Sequence, residues 1–104
     1  MGPTLKNPPA GAPRARISLP RPMVDFNTPD KELFSIAEKM VTLARQEKQD
    51  AEGRGDKRRT ELLGTALDFS AEKMQKVTSG AVTGSDVGGE LRQALNVLIN
   101  TIYQ

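Results

Sequence analysis

The side chains best placed to do chemistry in this 104-residue chain sit together at Arg54-Gly55-Asp56-Lys57-Arg58-Arg59. Four cations within six residues could neutralise phosphates or a nucleic-acid backbone, so Arg54, Lys57, Arg58 and Arg59 are the candidate phosphate contacts. Glu52, Asp56 and Glu61 dilute that field, and no aromatic side chain lies beside it to stack on a base. A solvated turn followed by the first turn of a helix accounts for the same residues without any ligand. Nucleic-acid binding, if it occurs, is therefore expected to be weak and strongly salt-dependent.

Other chemistries are excluded by residue type. The chain has no Cys and no His. Thiol catalysis, imidazole acid–base catalysis, Cys/His zinc sites and disulfides all fall away. Ser and Thr are plentiful, but without His the usual nucleophilic triad cannot be built. The carboxylates show no EF-hand spacing. The glycines between Gly80 and Gly89 lack the Gly-Lys-Ser/Thr ending of a phosphate loop and read as a helix–helix turn. Asp68, Glu72, Lys73 and Lys76 fit an exposed helical face with a Glu72–Lys76 pair four residues apart. The expectation is a protein without catalytic residues, metal or cofactor.

Three helices must carry whatever surfaces remain. Leu33, Ile36, Ala37, Met40, Leu43 and Ala44 recur with helical period, widened by Phe34 and Val41, and predict a helix near 29–51. Thr28 is the expected N-cap, with Pro29 and Asp30 in the first turn. Gly53 and Gly55 interrupt the pattern. Asp56 then caps a second helix near 56–79, whose stripe runs Leu62, Leu63, Ala66, Leu67, Ser70, Met74 and Val77 and stops at Gly80. Gly64 lies inside it, as a place where another helix could approach closely. A third helix near 86–103, capped by Thr83 or Ser85, carries Val87, Leu91, Ala94, Leu95, Leu98 and Ile102. Val97, Ile99 and Tyr103 are apolar surplus beyond that stripe, and form the expected partner or oligomer face. The fold class is all-α: a small two- to three-helix bundle, residues 29–104, with an extended N-terminal arm.

The arm is residues 1–28, and its composition differs sharply from the rest. All seven prolines (3, 8, 9, 13, 20, 22 and 29) fall in the first 29 residues. Proline removes a backbone donor and opposes helix in the residue before it, so this segment is expected to be extended and flexible. Those 29 residues hold Lys6, Arg14, Arg16 and Arg21 against Asp25, a net of +3; the remainder holds 11 basic and 12 acidic residues. The formal +2 of the chain therefore resides in the arm. Leu5, Ile17, Leu19, Met23 and Phe26 are spaced along it as anchors that could fill pockets, and Arg14, Arg16 and Arg21 could pair with acidic groups around them. Phe26 is also placed to pack on Leu33. The arm is expected to carry partner affinity rather than fold stability.

No apolar run is long enough to span a bilayer, and the first 20 residues lack the apolar core of a secretory signal. A cytoplasmic location, or one within an assembled particle, is expected. The leading functional expectation is a structural subunit or adaptor of a larger assembly, such as a virion or a secretion machine, acting through protein partners or as a homo-oligomer. The alternatives are an accessory nucleic-acid-binding protein using the arm and the Arg54–Arg59 cluster, and a small helical chaperone or regulator that sequesters a partner protein.

Overall fold

The computed structural model describes residues 17–104. Three helices follow one another: α1 (Asp30–Gly53), α2 (Lys57–Thr78) and α3 (Asp86–Ile102). Each packs against both of the others, and the described residues include no strand. The small all-α bundle expected from the periodicity is the fold observed.

The core follows the apolar stripes. Leu33, Ala37, Met40 and Ala44 of α1 meet Leu63 and Ala66 of α2 and Leu91, Leu95, Leu98, Ile99 and Ile102 of α3. Spacings of three and four residues keep each set on one side of its helix. The small Ala37, Ala44 and Ala66 let the axes approach, and the leucines of α3 fill the space between them. Ser70 is the one small polar residue in this layer. Its hydroxyl donates to the Ala66 carbonyl at 2.6 Å, so it is buried without an unpaired group.

The helix ends are specified locally. Gly55 takes φ 72°, and the Asp56 amide reaches back to the Ala51 carbonyl at 2.9 Å while Gly55 bonds the Glu52 carbonyl. That is a Schellman stop, and its left-handed residue favours glycine. Asp56 begins α2 as expected, its carboxylate accepting from the Arg59 amide at 3.1 Å. Gly80 stops α2, also at positive φ. The start of α1 differs from expectation. Pro29 occupies the cap position, and Thr28 does not cap the helix. Its hydroxyl accepts from the Asp25 amide at 3.0 Å and lies 3.3 Å from the Asp25 carboxylate. Asp25 also accepts from the Asn27 amide, so residues 25–28 close a turn of their own.

Three packing details also depart from the sequence reading. A Cβ on Gly64 would meet only Lys48 Cε, at an ordinary 3.5 Å, so no helix backbone crosses there. Leu62 lies at the edge of its stripe and is 37% exposed. The ion pair on the Asp68–Lys76 face runs between helices: Lys73 Nζ reaches Glu90 Oε2 at 3.2 Å and sits 5.4 Å from the Phe69 ring centre.

Candidate functional site

The basic cluster is divided by the fold. Arg59 leaves the first turn of α2 and points inward, only 8% exposed. Its guanidinium donates to the carbonyls of Thr101 (3.3 Å) and Ile102 (3.0 Å), and to Glu47 Oε1 at 3.1 Å. The last turn of α3 contains no basic residue of its own. Arg59 supplies the missing cation at the negative end of α3 and ties all three helices together. Arg54 is also buried; its Nε donates to Asp50 Oδ2 at 2.9 Å, and Nη1 lies 3.7 Å from Asp56 Oδ2. Only Lys57 and Arg58 of the four candidate phosphate contacts are exposed. Two of the four cations are thus spent on internal partners, and the described residues assemble no convergent cationic site there. Neither do they bring together three carboxylates that could hold a metal ion.

The surplus apolar face of α3 is covered rather than free. Ile99 is a core residue at 5% exposure, and Val97 and Tyr103 are half-buried against the same cluster. The reason is geometric. The helix lies against α1 and α2 over a wide arc, and residues 17–28 pass along another part of its surface.

That passage forms the most elaborate polar arrangement outside the helices. Residues 17–28 (the strap) run without helix, antiparallel to α3. At one end the Tyr103 hydroxyl lies 2.9 Å from the Leu19 carbonyl and 3.3 Å from that of Pro20. Arg21 Nη2 donates to Asn100 Oδ1 at 2.6 Å. At the other end Arg92 donates to three carbonyls: Asp25 (3.1 Å, from Nε), Phe26 (3.1 Å) and Thr28 (2.9 Å, both from Nη2). The body supplies nearly all the donors and the strap supplies main-chain acceptors. Pro20 and Pro22, which have no N–H to offer, therefore forfeit nothing by lying here. Inward, Ile17 and Val24 pack on the core cluster. Outward, Leu19 is 42%, Met23 89% and Phe26 93% exposed. Phe26 does not pack on Leu33, because the turn at 25–28 directs it to solvent.

Two residues make this seat possible. Gly88 is buried, and a Cβ there would stand 2.6 Å from an Arg92 Nη and 2.9 Å from an Asp30 carboxylate oxygen. The absent side chain leaves room for the guanidinium. Tyr103, the only tyrosine in the chain, has its pKa raised above the ordinary value, first by burial; nearby Arg21 lowers it and Glu47 raises it.

Of the anchors expected in the arm, Ile17 faces the core, Arg21 pairs with Asn100, and Leu19, Met23 and Phe26 face solvent. Leu5, Arg14 and Arg16 lie outside the described residues. Sequence reasoning missed Arg92, Asn100, Gly88 and Glu47. One signal was present: Arg92 is the only basic residue in α3.

Elsewhere an open groove of about 770 Å³ runs between α1 and α2, with Val41, Leu67 and Met74 on its floor and Glu38, Arg45 and Asp68 along its sides. Among the described residues no helix is long and apolar enough to cross a membrane. The chain matches no family model, and no curated protein or solved structure is significantly similar to it.

Proposed function

We propose that this chain is a non-enzymatic structural subunit or adaptor of a larger protein assembly, a virion or a secretion machine being the settings that suit its plan. The observation that carries this reading is the two-sided strap. Its inner side chains and carbonyls hold it to the bundle, while Leu19, Met23 and, at the turn, Phe26 are left exposed. Large apolar side chains held in a fixed row and left in water mark a contact surface more often than a solvated tail. The segment upstream adds Lys6, Arg14 and Arg16, which would steer it toward acidic surfaces. Nucleic-acid binding draws less support, since Arg54 and Arg59 are engaged internally and leave Lys57 and Arg58 as the exposed pair.

The test is self-association of the full chain by sedimentation velocity over a range of concentration, wild type against a variant carrying Leu19→Ser, Met23→Ser and Phe26→Ser. A subunit that uses this row associates as wild type and dissociates as the variant, with unchanged helical circular dichroism. A wild-type chain that stays monomeric throughout, and incorporates equally well into its native assembly with the row removed, would count against the reading.

A further inference from the structure

The strap and its seat are complementary halves, and every copy of the chain carries both. The seat reads an extended backbone through the Tyr103 hydroxyl, accepts Arg21 on the Asn100 side-chain oxygen, and receives Ile17 and Val24 on the core. None of these contacts requires the strap to belong to the same molecule. What makes the strap fold back on its own bundle is the turn at 25–28, and Arg92 clasps the carbonyls of Asp25, Phe26 and Thr28 within that turn. We propose, building on the subunit reading above, that two copies of this chain exchange residues 17–24, each strap occupying the other's seat, with 25–28 as the hinge and Arg92 as the clasp that favours the closed form.

The energetics suit such an exchange. In the open pair the strap makes the same inner contacts as in the closed chain, so the change in contact energy is confined to the hinge. The closed form holds its advantage through tethering, which presents the strap to its own seat at an effective concentration in the millimolar range. Exchange therefore wins where copies are crowded together or where the clasp is loosened. In an assembly it would link neighbouring subunits through a surface that an isolated chain keeps covered. The exposed Leu19 and Met23 travel with the exchanged segment and would be delivered beside the neighbour.

The test loosens the clasp in the full chain. Arg92→Ala removes it, and Gly88→Ala displaces the guanidinium by filling its space, so two independent variants report on one device. Both are expected to form a reversible dimer in equilibrium sedimentation with a dissociation constant at least about tenfold below that of wild type. Adding Ile17→Asp and Val24→Asp to either variant should return it to monomer. A complementation mixture confirms the geometry. A chain with Ile17→Asp and Val24→Asp, whose Tyr103 seat is empty, is mixed with an Arg92→Ala chain in which Tyr103→Phe silences the tyrosine signal. The mixture should form a one-to-one complex, and the tyrosine fluorescence of the first chain should change on mixing. Monomers at every concentration for both clasp variants would overturn the exchange, as would a dimer indifferent to the Ile17 and Val24 substitutions. In the second case the chain still self-associates, so the subunit reading survives while the exchange fails. An absence of association by wild type and all variants, together with unimpaired incorporation when the Leu19, Met23 and Phe26 row is removed, sinks both.

Discussion

The three helices are held by side chains that meet away from water, whereas residues 17–28 are held by side chains that reach for main-chain carbonyls at the surface. In the first region Leu33, Leu63, Leu91, Leu95 and Leu98 are fully buried, each contributing about 1.5–3 kcal/mol. In the second, three hydrogen bonds from Arg92 and one from the Tyr103 hydroxyl, shared between Leu19 and Pro20, end on strap carbonyls, most of them at exposed positions where water competes. A protein hydrogen bond contributes about 0.5–1.5 kcal/mol net, and an exposed one lies toward the lower end. Two regions of one chain therefore sit at different depths of stability. The bundle is expected to unfold as a unit, and the strap to open before it does.

Substitutions separate the two regions in order of effect. Leu95→Asp or Leu98→Asp places an unpaired charge in the shared core and should cost more than about 4 kcal/mol, seen as loss of helical circular dichroism. A folded variant would show that α3 is not the centre of the bundle. Arg59→Ala comes next. It strands Glu47 and leaves the Thr101 and Ile102 carbonyls without their donor, so urea titration should show a loss of about 2–3 kcal/mol. Lys57→Ala and Arg58→Ala, exposed neighbours in the same cluster, should stay within about 0.5 kcal/mol. Equal losses at all of them would erase the distinction between inward and outward cations.

Strap variants should move a different observable. Arg92→Ala should lower the global stability by about 1–2 kcal/mol at most, while amide exchange speeds up at least about tenfold in residues 23–28 and stays unchanged in the buried turns of α1 and α2. Uniform acceleration would mean that strap and bundle open together. Gly64→Ala has the opposite sign. The site is helical and a Cβ there makes only an ordinary contact with Lys48, so the melting midpoint should rise by the equivalent of about 0.5–1 kcal/mol.

The smallest effect is on pH. The folded chain holds the Tyr103 pKa above its ordinary 10.0, so it favours the protonated hydroxyl. The associated stabilisation is fully present below the ordinary value and is lost as pH rises through the raised one. Tyrosinate absorbance reports this group alone, because the chain contains a single tyrosine. A titration midpoint at or below the ordinary value would show that burial is not the dominant influence on Tyr103.

What the sequence by itself determined is local. The three helices, the stop glycines at Gly55 and Gly80, the Asp56 cap and most of the core stripes follow from interactions spanning a few residues, and the periodicity displays them directly. Thr28 misled because a local rival was equally close: Asp25 captures the same hydroxyl from three residues away. What only the tertiary structure decided is where the polar and surplus apolar side chains go. Arg59 meets Thr101 across 42 positions, Arg92 meets Asp25 across 67, and Tyr103 meets Leu19 across 84. Composition shows that Arg59 is a cation, but not that the unpaired carbonyls ending α3 lie within its reach. It likewise shows α3 to be more apolar than one stripe requires, but not that its neighbours and the strap would cover the excess. An arginine beside a helix end is buried or solvated according to which carbonyls the folded chain brings to it, and that choice exists only after the helices have packed.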